Sequence, residues 1–267
     1  MQNKRFIFAP QMPPYLNFSN RKATPAVAIF FPKCSEAIVL FLNFAPLISK
    51  IMEKVTVYID GLNFYYGLKR AKANDADWQK CYWIDFLKLF ELFLGNNQVL
   101  QKVIYFTTPP NSIQKRNRQR LLLNSNRLIN GDRFEIVKGK FLEKTITCPQ
   151  CNATYKIPEE KHTDVNISIR MMRDCARNLT DTLILVSADN DLATPLRLIK
   201  TDYPDKKLKL YFPPANFSNN MNNLMLSLKE KQAVILEKNK PKFLKSIMPD
   251  TVTKNGISYT IPPKWKI

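Results

Sequence analysis

Along the chain, short apolar runs alternate with segments in which apolar residues recur every three or four positions. That is the pattern of strands buried on both faces and separated by amphipathic helices. Residues 55–59 (Val-Thr-Val-Tyr-Ile) predict a first strand that runs into Asp60-Gly61. Helices are expected over 62–69 and over 83–94, where Ile84, Leu87, Phe90 and Leu94 recur at helical spacing. A strand over 101–106 is closed by Pro109-Pro110, and Ser112 opens a basic helix that continues through 121–128. A strand over 134–141 and a short hairpin over 147–157 follow. The segment 164–177 is amphipathic, with Ile167, Met171 and Cys175 on one stripe. Residues 182–187 (Thr-Leu-Ile-Leu-Val-Ser) are the best-defined buried strand; a helix reaching Ile199, a strand over 207–212 and a helix over 221–237 complete the pattern. Nearly all-apolar strands alternating with helices predict an α/β fold with a central, mostly parallel sheet covered on both faces.

The two ends differ from this middle. Residues 1–51 hold Pro10, Pro13, Pro14, Pro25, Pro32 and Pro46 and sustain neither period, so they are expected to be a poorly ordered extension. Met52, followed at once by the first strand, is the expected natural start. The apolar run 37–48 is broken by Asn43 and Pro46, short of the roughly 18–20 residues a membrane span needs, and no secretory signal pattern is present. The main domain is therefore set at 52–228, with a cysteine-containing hairpin insertion over 142–158. Residues 229–267, rich in Lys and Pro, are expected to form a basic helix and a loosely attached tail.

Composition adds one strong feature. Lys and Arg number 41 against 22 Asp and Glu, a formal net charge of +19, which points to a polyanionic partner or simply to a solvated basic surface. The 6 glycines argue against a Gly-rich phosphate cradle. Five cysteines at irregular spacing do not make a disulfide framework, so a reducing, cytoplasmic compartment is expected.

Against this basic background, carboxylates collect where strands end. Asp60 ends the first strand, Asp189 and Asp191 follow the strand 182–187, and Asp164 opens the helix before it. In an open parallel sheet, ligands gather at the carboxyl ends of the strands, where strand order reverses. If the first and fourth strands are neighbours, all four acids share one cleft. Taken singly, each fits a helix N-cap. Together they repel one another unless a cation lies between them, and hard ions such as Mg²⁺ or Mn²⁺ accept such oxygens. An acidic cleft in a basic surround suggests metal-assisted phosphodiester hydrolysis.

Three segments carry a resemblance: Val57-Tyr-Ile-Asp-Gly-Leu-Asn63, Lys161-His-Thr-Asp-Val-Asn166 and Asp181-Thr-Leu-Ile-Leu-Val-Ser-Ala-Asp-Asn-Asp-Leu192. In that order they resemble the three motifs of NYN domains, members of the PIN-like nuclease superfamily, and look most like the bacterial LabA-like group. The likeness covers roughly residues 52–226. It implies a PIN-like three-layer sandwich and a metal-dependent ribonuclease that hydrolyses RNA without a covalent intermediate. It matches Asp60, Asp164, Asp189 and Asp191 to catalytic metal ligands for Mg²⁺ or Mn²⁺, and Asn63 and Ser187 to polar groups that position water or phosphate. Two departures stand out: His162 lies at a position that is commonly small or basic, and Arg170 near one that is often acidic.

The basic helix offers Lys115, Arg116, Arg118, Arg120 and Arg127 to an RNA backbone; the same charges fit a solvated helix face. Tyr65, Tyr66, Trp78, Tyr82 and Trp83 fit base stacking or packing. Cys148-Pro-Gln-Cys151 is half of a zinc knuckle. Either His162 supplies a third ligand, or two copies share their pairs in a homodimer, or the knuckle binds nothing. Two rivals to the ribonuclease remain. One is an RNA- or protein-binding module on the same fold. The other is a haloacid-dehalogenase-like phosphatase, which needs a second Asp where Leu62 stands.

Overall fold

A computed structural model describes residues 52–266; the expected 1–51 extension and Cys34 lie outside them. β1 (Glu53–Asp60) leads into α1 (Gly61–Asn74), a 3₁₀ turn over Ala76–Tyr82, α2 (Phe86–Glu91) and β2 (Gln98–Thr107). α3 (Ile113–Asn130), β3 (Phe134–Lys138), β4 (Lys140–Thr147), β5 (Thr154–Lys161) and α4 (Thr163–Ala176) follow. Then come β6 (Thr182–Val186), α5 (Ala193–Asp202), β7 (Lys207–Phe212), α6 (Asn219–Ser227) and β8 (Val234–Ile235). The described chain closes with α7 (Lys240–Lys245), β9 (Thr251–Lys254) and β10 (Ile257–Thr260).

Six strands form one parallel sheet in the order β3-β2-β1-β6-β7-β8. Successive strands step away from β1 in one direction through β2 and β3, and in the other through β6, β7 and β8, so strand order reverses between β1 and β6. Alternate residues serve opposite faces. Val55, Val57 and Ile59 of β1 join Ile184 and Val186 of β6 in a core with Phe64, Trp83, Phe86 and Phe90. Tyr58, Leu183 and Leu185 enter a second core with Ile167, Met171, Leu196 and Met221. Helices on both faces complete the expected three-layer α/β sandwich.

Several elements depart from their expected bounds. The helix over 83–94 shrinks to α2, because Asp85 caps it by accepting the Lys88 N–H at 3.2 Å. The strand over 134–141 divides at Gly139, whose N–H donates to the Thr107 carbonyl at 2.9 Å. β3 stays in the sheet, while β4 pairs with β5 in an antiparallel hairpin longer than expected. The helix over 221–237 stops at Ser227: Lys229 takes a left-handed φ of +58°, and the next apolar pair becomes edge strand β8. The tail is built into the first core rather than loosely attached. Phe243 and Trp265 are buried, Phe243 packs on Phe64 and Trp78, and Trp265 stacks on Tyr82 at 5.5 Å.

Candidate metal centre and its cleft

Asp60 is the last residue of β1 and the N-cap of α1, where its Oδ1 accepts the Asn63 N–H at 3.0 Å. Its Oδ2 accepts the Ser187 hydroxyl at 2.9 Å, and the Ser187 Oγ in turn accepts the Asp189 N–H at 3.1 Å. Asn63 Oδ1 accepts the Ala188 N–H at 3.1 Å and the Asn216 amide at 2.5 Å. The ends of β1 and β6 and the loop after β7 are thus tied together at the point where strand order reverses. Asp189 caps the 3₁₀ turn Asn190–Leu192, and Asp164 sits in the first turn of α4.

The result is a cluster in which one oxygen each of Asp60, Asp164 and Asp189 lies within 4.8 Å of the others, Asp60 buried and the other two half-buried. Asp191, expected as a fourth ligand, stands apart from it. Its backbone N–H is bonded to Asp189 Oδ1 at 3.1 Å, and its side chain is exposed on the 3₁₀ turn; two residues along such a turn point about 240° away, since it has 3 residues per turn. Ser187, expected to position water or phosphate, is fully buried and its hydroxyl serves Asp60 and Asp189.

The cluster opens into a cleft of about 490 Å³. Tyr66, Arg70, His162 and Asn216 line it beside the acids. The Arg70 Nε donates to the Ala215 carbonyl at 3.1 Å. His162 occupies the left-handed region at φ +76° at the head of α4, an uncommon conformation for a non-glycine residue. Arg70 and Asn216 escaped the sequence reading. For Arg70 a signal was present: Asn63, Tyr66 and Arg70 recur at helical spacing after Asp60 and so share one face of α1.

Of the basic set, Lys115, Arg116, Arg120 and Arg127 are exposed and Arg118 is half-buried, all on α3 and outside the residues lining the acidic cleft. Arg116 folds back to the Pro110 carbonyl at 3.0 Å. Arg127 borders a separate depression with Lys254 and Tyr259. Cys148 and Cys151 occupy the turn between β4 and β5, whereas His162 faces the acidic cleft. Among the described residues, no helix is long and apolar enough to cross a membrane.

A parallel α/β sheet with a carboxylate triad where its strand order reverses places the candidate site where open α/β folds bind their ligands. The NYN domain model matches residues 54–224, and the chain belongs to the NYN domain family. It is similar to the 6-hydroxy-3-succinoylpyridine 3-monooxygenase HspA of Pseudomonas putida (strain DSM 28022 / S16), at 24% identity over 206 residues, 63% of this chain and 62% of that protein. The chain thus spans less than two thirds of that curated relative's length. A crystal structure of a protein of unknown function from Vibrio parahaemolyticus RIMD 2210633 aligns with 65% of this chain and 90% of its own, at 19% identity and a TM-score of 0.41.

Proposed function

We propose that this chain is a divalent-cation-dependent ribonuclease. The observation that carries the reading is the convergence of three carboxylates within 4.8 Å inside a strongly basic protein. Three hard oxygen donors fit Mg²⁺ or Mn²⁺ better than a soft metal, so Asp60, Asp164 and Asp189 are the residues that would hold the ion. When bound, such an ion supplies Lewis-acid polarisation of the phosphodiester and an acidified water. The family's general nuclease character supports hydrolysis.

Within the cleft, Asp60 is held by Ser187 and by the α1 backbone, so its carboxylate is fixed before substrate arrives. Asn63 and Asn216 hold the 187–189 loop against α1. Arg70 places a cation beside the acids for a phosphate oxygen, and Tyr66, 49% exposed at the cleft, offers a ring on which an unpaired base stacks. The exposed cations of α3 extend the track for the RNA backbone.

The monooxygenase named HspA raises oxygenation as a second reading. The donor set favours hydrolysis, because the chain has a single histidine and oxygen-activating non-haem iron centres draw on two.

The test is cleavage of a labelled single-stranded RNA by the full chain in Mg²⁺ or Mn²⁺, with and without EDTA. Asp189→Asn is expected to lower the rate about 100-fold or more, and Asp191→Asn less than about fivefold. Undiminished RNA binding without metal-dependent cleavage would replace the enzyme by a binding module.

A further inference from the structure

The β4–β5 hairpin carries its two cysteines in the turn at its tip, which is closed by backbone hydrogen bonds. The Asn152 N–H donates to the Cys148 carbonyl at 2.9 Å, and the Cys148 N–H donates to the Ala153 carbonyl at 2.8 Å. Asn152 supplies the left-handed residue, φ +55°, that lets the chain reverse. Two cysteines spaced C-x₂-C at such a turn are the arrangement from which half of a structural zinc site is built.

We propose that the Cys148–Cys151 turn is half of a tetrathiolate zinc site, completed by the same turn of a second copy of this chain. Two further observations point the same way. The other described cysteines, Cys81 and Cys175, are buried inside the two cores, whereas Cys148 is half-buried and Cys151 exposed at the hairpin tip. Among the described residues, the only cluster of three or more metal-ligating side chains is the aspartate triad. A structural zinc ion takes four ligands, so two must come from elsewhere.

The surface around the turn accommodates a second copy. Residues 145–155 contain no Lys, Arg, Asp or Glu, in a chain whose net charge is +19. Two tips can therefore meet without the repulsion that most of this surface would generate. Ile146 and Tyr155, directly paired across the hairpin, are 38% and 49% exposed. Brought tip to tip around a metal, these pairs lose solvent together, adding apolar burial to the four metal bonds. Each thiol that binds releases its proton to solvent, and zinc undergoes no change of oxidation state.

The experiment uses untagged full-length protein purified from zinc-supplemented medium without chelators. Metal content is measured by mass spectrometry and molar mass by light scattering on a sizing column. The expected result is a dimer with about 0.5 zinc per chain. Replacing zinc with Co²⁺ is expected to give a thiolate-to-cobalt charge-transfer band that saturates at about 0.5 cobalt per chain; carboxylate-bound cobalt at the triad lacks this band. Cys151 is exposed, so Cys151→Ser is expected to keep the thermal midpoint of the domain while losing the band and returning the protein to a monomer. The proposal is overturned by a monomer with one thiolate-bound metal per chain, by absence of the band, or by a dimer that keeps its band in Cys151→Ser. Loss of the band in Cys34→Ser also overturns it, since a ligand would then come from elsewhere in the chain. Because the band reports only thiolate, failure here leaves the aspartate triad and its hydrolytic reading untouched.

Discussion

Asp60 illustrates how much chemistry rests on one residue's surroundings. Its two oxygens accept the Asn63 N–H and the Ser187 hydroxyl, so the ordinary capping role and a ligand role coexist in one carboxylate. Gly61, next to it, makes the position possible. A Cβ there would lie 2.3 Å from a Tyr105 ring carbon and 2.5 Å from the Phe106 carbonyl oxygen. The glycine is therefore required by close approach, not by backbone angle. Gly61→Ala should cost about 3 kcal/mol, because a backbone carbonyl cannot move aside as a flexible side chain would. Urea unfolding measures that loss. Metal-dependent cleavage should fall with it, since Asp60 is carried on the same backbone.

At the scale of elements, the C-terminal segment is the largest change from the pattern-based reading. Its lysines suggest a solvated strap, yet α7 and the β9–β10 hairpin deliver Phe243, Met248 and Val252 into the first core. The Trp83 indole N–H donates to the Pro249 carbonyl at 2.9 Å, which ties the segment to the chain between β1 and β2. Phe243→Ala should destabilise the protein by about 3–5 kcal/mol, as expected for a fully buried aromatic, read from the denaturation midpoint. A surface strap would show less than about 0.5 kcal/mol. One signal for this hairpin was present: Asn255-Gly256, both at positive φ, is the dipeptide favoured in two-residue turns.

Across the whole molecule, ionic ties join strands far apart in sequence. Burial alone would raise Glu53, but hydrogen bonds from Lys207, Thr182 and Gln98 outweigh it and hold the carboxyl below its usual range. Burial likewise opposes Glu135, and its bonds with Arg170 and Lys102 again win. Arg170 also grips Asp174, which accepts the Tyr58 hydroxyl at 2.9 Å; the basic residue at 170 thus serves a network between α4 and the sheet. Carboxyls depressed on folding stabilise the protein above their unfolded value, about 4.3 for Glu, and that contribution disappears as pH falls through the folded value. Stability measured by urea unfolding should therefore drop from about pH 4.5 downward, and Glu53→Gln with Glu135→Gln should flatten the drop. The same scale governs RNA affinity. Reversing Lys115, Arg116 and Arg120 to Glu should flatten the log–log salt dependence of binding by about 2, at roughly 0.7 per neutralised phosphate of a single strand. Filter binding across a salt series measures it.

The strand 182–187, the helix after Ser112 and the strand-end aspartates were legible because they depend on local rules: side chains repeat every 2 or about 3.6 positions, and capping acids follow apolar runs. The family motifs were legible for the same reason, each being a contiguous stretch. Which acids converge was not local. Asp60 meets Ser187 across 127 residues because β1 pairs with β6, and that choice is made by packing two cores on one sheet. The same tertiary geometry turned Asp191 outward, brought Arg70 and Asn216 to the cleft, and buried the aromatics of a lysine-rich tail. Charge and period describe a segment's own surface; only the fold determines which surface it meets.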